Sequence, residues 1–184
     1  DLTTLQREAN RYYGYTAKQT LDYTQKLYEA KLVTYPRTDS QYLTEDMKDT
    51  ANSIVLALYE KLSFLDGVVS SFHAEQMIDN AKVTDHHAIV PTAMAGSFNL
   101  SSLPKGELEI MKLLSLGLLK GVSLPHKYAE TVVTLECEGQ QFTTKGKTVL
   151  VPGWKFYEPA KEEKAEKLPD LKAGQKIPLN AVAI

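Results

Sequence analysis

Residues 35–40 hold the densest group of reactive side chains in the sequence: a phenol, a guanidinium and a carboxylate, from Tyr35, Arg37 and Asp39. A tyrosine phenol has an ordinary pKa of about 10, so as a nucleophile it needs nearby positive charge or a base. Arg37 can supply part of that charge, and Pro36 restricts the backbone between the two side chains. Guanidinium forms paired hydrogen bonds to phosphate oxygens, so the segment suits attack on a phosphodiester. The alternative is a packing tyrosine, a surface arginine and an aspartate that caps a turn.

Two adjacent histidines, His86 and His87, form a second candidate group. Neighbouring side chains on an extended segment point to opposite faces, so we expect one of the two to face a site. Histidine can donate to a phosphate or transfer a proton near neutral pH. Metal binding is the competing hypothesis. Asp85, with His73 or His126, would have to join, and their spacing matches no familiar ligand pattern.

The composition indicates one ordinary domain or two small ones, with 43% hydrophobic residues among 184. We expect a soluble globular fold, because no apolar run is long enough for a membrane span and no targeting segment opens the chain. Cys137 is the single cysteine, which excludes an internal disulfide and favours an intracellular, reducing compartment. The net charge of -2 gives no hint of nucleic-acid binding, which usually requires a surplus of Lys and Arg. Because the chain begins with Asp rather than Met, we expect a piece of a longer protein.

The elements that must position these groups are mostly helical. Two capping boxes predict one helix ending at Gly14 and another ending near residue 30; the boxes are Thr3 with Gln6 and Thr16 with Gln19. Apolar residues at helical spacing predict two more helices, one over about residues 45–62 and one from about 108 to 121. Tyr35 is expected on an extended or turn segment, because the residue before a proline is biased away from helix. Residues 63–80 indicate a loop with a short helix.

From about residue 128 apolar residues occur at every second position, which is typical of strands. The predicted strands cover residues 131–137, 141–145, 148–151 and 177–184, with a turn at Gly139. The charged run at residues 161–167 indicates a solvated loop or linker. The fold class is therefore α+β: a mostly helical domain over residues 1–127, followed by a β-rich region over residues 128–184.

The two candidate motifs together resemble one family. Residues 35–40, Tyr-Pro-Arg-Thr-Asp-Ser, resemble the active-site segment of type IA DNA topoisomerases, and residues 86–92, His-His-Ala-Ile-Val-Pro-Thr, resemble the second motif of that family. Residues 1–10, the helix over residues 16–28 and the later Gly-Trp pair also match, so the resemblance covers nearly the whole chain. The second motif is closer to the bacterial topoisomerase III branch than to the His-Glu-Ala-Ile-Arg-Pro pattern of topoisomerase I.

The resemblance implies a mechanism and roles for these residues. Tyr35 is expected to attack a phosphodiester of single-stranded DNA, keep the 5′-phosphate as a phosphotyrosine and release a 3′-hydroxyl. Arg37 would hold the scissile phosphate, and His86, which aligns with the family's active-site histidine, would contact the phosphate or aid proton transfer. No ATP is needed, because the bond energy is conserved. The weaker substrate-binding candidates are Asp39, Ser40 and His87. Asp39 and Ser40 could instead cap and orient the turn.

The resemblance also implies what lies outside this chain. The family binds Mg²⁺ through a toprim domain, and the sequence contains no Asp-x-Asp segment of that kind. We therefore expect no cofactor or metal here, Mg²⁺ in the full-length enzyme, and residues 128–184 as part of its β-rich gate domain. The expected partners are single-stranded DNA and the toprim and ring-closing domains of the same polypeptide, in a monomeric, cytoplasmic and nucleoid-associated protein. The piece alone is expected to lack strand passage.

Three alternatives remain at this point. The first is a non-catalytic module that binds single-stranded DNA through Tyr35, Arg37 and the histidines. The second is a metal-dependent tyrosine nuclease of the relaxase type, which also forms a 5′-phosphotyrosine. Its histidines are usually separated by a hydrophobic residue, whereas His86 and His87 are adjacent. The third is a purely structural role, which requires both motif matches to be accidental.

Overall fold

The computed structural model describes residues 1–61, 72–158 and 168–178. The chain separates into two compact units. One comprises Asp1–Pro125 and Gly153–Pro159, and the other comprises His126–Pro152 and Ala160–Ile184. The described α-helices lie in the first unit and the described strands in the second, which confirms the predicted α+β class.

The first unit contains five α-helices in its described residues: α1 (Leu2–Tyr13), α2 (Ala17–Glu29), α3 (Lys48–Lys61), α4 (Ala93–Ser97) and α5 (Lys105–Gly121). Short 3₁₀ turns connect them at Glu45–Met47, Ala74–Met77, Asn80–Lys82 and Leu100–Ser102, and another follows at Gly153–Tyr157. The helix α4 and the turn after it have no counterpart among the sequence predictions. Among the described helices, none has the length and apolar character of a membrane span.

The N-cap of helix α1 lies two residues before the predicted one. The carboxylate of Asp1 accepts the amide N–H of Thr4 at 2.6 Å, so Asp1 caps the helix and the prediction of Thr3 as the cap is wrong. The carboxylate satisfies an amide of the first turn, and the helix therefore starts at Leu2. The predicted stop is confirmed, because Gly14 adopts the left-handed conformation with a φ of 71°.

Helix α2 has the predicted capping box. The hydroxyl of Thr16 accepts the amide of Gln19, and the Gln19 side chain accepts the amide of Thr16. Helix α3 differs from its prediction at the start, because residues 45–47 form a 3₁₀ turn. Thr44 makes no side-chain cap, and the amide of Glu45 donates instead to the side chain of Asn80 at 2.9 Å. Residue 62 and residues 63–71 of the predicted loop lie outside the described residues.

Two apolar clusters form the core of the first unit, and α5 contributes to both. Ile110 and Met111 belong to one cluster, whereas Leu118 and Leu119 belong to the other. The segment at residues 88–90 also contributes to both, because successive side chains of an extended chain point to opposite faces. This segment is therefore fixed on the core immediately after the two histidines.

The second unit contains an antiparallel two-stranded ribbon, β1 (Lys127–Cys137) and β2 (Gln140–Val151). Glu138 and Gly139 form its two-residue turn with φ of 50° and 78°, as such hairpins require. The prediction of two separate strands for β2 is wrong, because pairing continues through Gly146 opposite Thr131. The charged run at residues 161–167 and residues 179–184 of the predicted last strand lie outside the described residues. Residues 177 and 178 are described and are not in a strand.

Candidate active site

The two motifs predicted from the sequence meet because residues 32–34, which precede the first motif, pair side by side with residues 90–92 of the second. Val33 and Pro91 form an isolated antiparallel bridge. The amide of Thr34 donates to the carbonyl of Val90, and that of Thr92 donates to the carbonyl of Leu32, both at 3.0 Å. Residues more than fifty positions apart therefore become neighbours.

The side chain of Thr34 adds a second connection between the same segments. Its hydroxyl donates to the carbonyl oxygen of Ala88 and accepts the amide of Val90, each at 3.0 Å. Ala88 and Val90 are buried, so these polar backbone groups have little access to water. Leu32 and Val33 are buried as well, and the paired segments therefore hold the motifs on the core.

An open cleft of about 610 Å³ lies where the two motifs meet. The tyrosine motif, residues 35–40, and the histidine motif, residues 86–92, both line it. The lining residues are Tyr35, Arg37, Thr38 and Asp39 of the first motif, His86 of the second, and Thr84 and Asp85 just before the second. The cleft therefore brings together all three predicted catalytic residues, together with Asp39.

The ring of Tyr35 is in contact with two other rings. The centroid of the His86 imidazole lies 4.4 Å from that of Tyr35, and the ring planes are inclined by 44°. Tyr28, in the last turn of α2, packs edge-on against Tyr35 at 5.5 Å. Tyr35 is half-buried between them and His86 is exposed, so the histidine is open to a ligand that reaches the tyrosine.

The charges in the cleft are mixed. Arg37 contributes one guanidinium, whereas Asp39 and Asp85 contribute two carboxylates. Arg37 would attract a phosphate that entered the cleft, and the two carboxylates would repel it. The guanidinium of Arg37 is the group suited to form paired hydrogen bonds with a phosphate. The local charge, like the net charge of the chain, does not by itself favour DNA.

Ser40 and His87 lie differently from the other predicted site residues. Ser40 is buried, and its hydroxyl donates to the carbonyl of Lys82 at 2.9 Å and accepts the amide of Tyr42 at 3.1 Å. His87 is half-buried, and its Nδ1 lies 2.9 Å from the carbonyl oxygen of Ala88. Neither residue is among those that line the cleft. Both make contacts that hold the backbone.

An ion pair between Asp79 and Lys82 precedes the histidine motif in the sequence. The Nζ of Lys82 lies 3.0 Å from a carboxylate oxygen of Asp79 and 3.3 Å from the hydroxyl of Tyr42. Its hydrogen bond to Asp79, and then that to Tyr42, raise the pKa of Lys82 above its usual value. The hydrogen bond to Lys82 lowers the pKa of the Asp79 carboxyl. These contacts join the turn at residues 79–82 to the chain that follows the tyrosine motif.

Three lining residues have no catalytic role among the sequence predictions. Thr38 and Thr84 have no predicted role, and Asp85 is considered only as a metal ligand. Thr38 lies between two predicted residues of the same motif, which is a signal that could have identified it. The position of Thr84 depends on the fold alone.

The described residues do not form a metal centre. Across residues 1–61, 72–158 and 168–178, no group of three or more His, Cys, Asp or Glu side chains is placed to hold an ion. Asp85, His73 and His126 therefore do not form the competing metal site among these residues.

The two motifs that resemble one family line a single cleft. A family model described as DNA topoisomerase matches residues 1–184, so the chain belongs to the type IA DNA topoisomerase family.

Relatives named DNA topoisomerase 3 are similar over most of the chain. The protein from Bacillus licheniformis is 38% identical over 99% of this chain and 26% of its own length. The protein from Bacillus subtilis is 40% identical over 89% of this chain and 23% of its own length. The protein from Shouchella clausii is 36% identical over 96% of this chain and 25% of its own length. The chain thus spans about a quarter of the length of these relatives.

Proposed function

We propose that this chain is the tyrosine-bearing part of a longer type IA topoisomerase that cuts and rejoins one strand of DNA. The observation that carries the proposal is the cleft in which Tyr35, Arg37 and His86 meet from two paired segments. Family membership supports the strand-cutting chemistry, and the name topoisomerase 3 on three relatives supports the branch.

In the proposed cleavage step, the phenolic oxygen of Tyr35 attacks the phosphorus of a phosphodiester in single-stranded DNA. A bond forms between that oxygen and phosphorus, the bond from phosphorus to the 3′-oxygen breaks, and the phenol loses its proton. The 3′-oxygen takes up a proton and leaves as a hydroxyl. Rejoining reverses the step. Because one phosphoester replaces another, the reaction requires no ATP.

Arg37 and His86 assist this step. Arg37 donates to the non-bridging phosphate oxygens and stabilises the charge that develops on them. His86, with its ring 4.4 Å from that of Tyr35, contacts the same phosphate or transfers the proton between the reacting oxygens. Asp39 lines the same cleft and orients the turn or the substrate.

The domain assignment is part of the proposal. Residues 1–127 form the tyrosine-bearing helical domain, and residues 128–184 belong to the β-rich gate domain. The compact helical unit, which ends at Pro125 and resumes over Gly153–Pro159, supports the first assignment. The toprim domain with its Mg²⁺ and the ring-closing domain lie in the rest of the polypeptide, in a monomeric, nucleoid-associated enzyme. The chain alone therefore lacks strand passage.

The test is covalent capture of DNA by the full-length protein. The protein is incubated with Mg²⁺ and a labelled single-stranded oligonucleotide, denatured and analysed for a 5′-linked adduct. We expect an adduct in the parent protein and none in Tyr35→Phe. Tyr12→Phe is the matched control, because Tyr12 is exposed on α1 and outside the cleft, and it should form the adduct normally. An adduct that survives Tyr35→Phe contradicts the proposal.

A second candidate is a module that binds single-stranded DNA without cutting it. The edge-on pair of Tyr28 and Tyr35 favours it, because exposed aromatic rings stack on bases, and Tyr28 is 39% exposed. The same assay separates the two. DNA bound without any adduct in the full-length protein supports the module.

A further inference from the structure

Thr38 joins the two motifs through its side chain. Its hydroxyl donates to the carbonyl oxygen of His86 at 2.7 Å and accepts the amide N–H of Ser40 at 3.1 Å. The backbone of Thr38 is itself anchored, since its carbonyl accepts the amide of Leu2 in α1 at 3.0 Å. A contact from the tyrosine motif therefore reaches the backbone of the proposed catalytic histidine.

The segment at residues 83–87, which we name the histidine loop, is held at its two ends by other bonds. At its start, the hydroxyl of Ser40 donates to the carbonyl of Lys82 at 2.9 Å. At its end, the amide of Ala88 donates to the carbonyl of Tyr42 at 2.8 Å. Residues 84–86 between these points are exposed, and fixing them costs conformational entropy. The bond from Thr38 is made within this exposed part.

We propose that Thr38 and Ser40 form a hydroxyl clamp that holds the histidine loop so that His86 lies against Tyr35. Both are positioning residues, acting through His86 and not on the DNA. The proposal rests on the proposed function for its catalytic consequence. Its structural part, the placement of the His86 ring, stands independently.

The side-chain chemistry of Thr38 suits this role. A β-branched side chain has few χ1 rotamers, so its oxygen keeps one direction. Accepting the amide of Ser40 further orients that oxygen, and its proton then points to the carbonyl of His86. Replacing the hydroxyl with a methyl group in Thr38→Val preserves the shape and removes both bonds. The exposed carbonyl of His86 then bonds to water, whereas the amide of Ser40 loses its side-chain acceptor, so the placement of His86 is compared only in variants that fold.

The first experiment measures the rate of adduct formation by the full-length protein in a double-mutant cycle. We expect Thr38→Val to slow cleavage by about tenfold to a hundredfold, the scale of a displacement of about 1 Å at a catalytic group. Thr38→Ser keeps the hydroxyl and should restore most of the rate. In a His86→Ala background the carbonyl that Thr38 contacts is still present but the imidazole that it positions is gone, so Thr38→Val should cause little further loss of rate. Thr3→Val, at an exposed position on α1, is the matched control.

Two outcomes of that cycle overturn the clamp. One is an unchanged rate in Thr38→Val, and the other is the same fold-loss from Thr38→Val with and without His86. A parent protein that forms no adduct defeats the proposed function instead and leaves the clamp to the second experiment.

The second experiment measures the placement of the ring without catalysis, by NMR of the ring protons of His86 in the 184-residue chain. Because the ring centroids of His86 and Tyr35 lie 4.4 Å apart, these protons should show a ring-current shift. We expect Thr38→Val to move it towards the value of a free histidine, Tyr35→Leu to abolish it and Tyr35→Phe to keep it. If Thr38→Val fails to fold, Ser40→Ala is the second variant, and it should reduce the shift because it removes the bond to the carbonyl of Lys82. An unchanged shift in the folded Thr38→Val protein overturns the proposal.

Discussion

The contact between α2 and α5 is close enough that one added methyl group should separate them. Gly106, buried in the first turn of α5, faces the ring of Tyr23 on α2. A Cβ atom at Gly106 would lie 2.5 to 2.8 Å from three ring carbons of Tyr23, well inside van der Waals contact. The ring of Tyr23 also packs edge-on against Tyr15 at 5.2 Å, which limits its movement. We therefore predict that Gly106→Ala forces the two helices apart.

The expected cost is about 1–3 kcal/mol of unfolding free energy, the usual range for overpacking a filled site. Gly117→Ala on the same helix provides the matched control. A Cβ atom there meets no part of the described chain within 4 Å beyond its own helix backbone and adjacent residues. Replacing glycine inside a helix should then stabilise by about 0.5–1 kcal/mol. The same substitution is thus predicted to have opposite signs at two positions of one helix.

The assay is urea denaturation followed by far-UV circular dichroism, with the midpoint and the slope compared among the parent and both variants. A lower midpoint for Gly106→Ala, a higher one for Gly117→Ala and equal slopes are expected. If Gly106→Ala unfolds at the same urea concentration as the parent or a higher one, the Tyr23 ring can move aside and the reasoning about this contact is refuted. If both variants are destabilised equally, the effect belongs to α5 as a whole and not to its contact with α2.

Two further predictions concern single side chains. Thr34→Val removes the hydroxyl that donates to the carbonyl of Ala88 and accepts the amide of Val90. We therefore expect the free energy of unfolding, measured by urea denaturation, to fall by about 2 kcal/mol. A fall of less than about 0.5 kcal/mol contradicts this prediction. The hydrogen bond to Glu109 raises the pKa of Tyr15 to about 12 from its ordinary 10.0. Between these values the folded state keeps a proton that the unfolded state loses, so this stabilisation is complete below pH 10 and falls as pH rises towards 12. The stability difference between the parent and Tyr15→Phe should shrink over that interval, and a constant difference refutes the assignment.

Local patterns in the sequence were sufficient for much of the helical framework. The capping box of Thr16 and Gln19 predicts the start of α2, and Gly14 predicts the end of α1, because each depends on groups within one helical turn. The cap of α1 was misassigned for the same reason, since Asp1 and Thr3 are both acceptable caps at short range. The candidate residues Tyr35 and His86 were likewise recognisable by their types and motifs.

Only the tertiary structure decided how these residues are placed. The bridge between Val33 and Pro91 and the bond from Thr38 to His86 join positions about fifty residues apart, and no local pattern encodes such pairing. For the same reason the sequence grouped Ser40 with the site residues. In the structure Ser40 is buried, and its hydroxyl donates to the backbone carbonyl of Lys82. Side-chain chemistry and short-range periodicity can be recognised from neighbouring residues in the sequence. Which of those side chains share a cleft depends on the packing of distant segments on a common core.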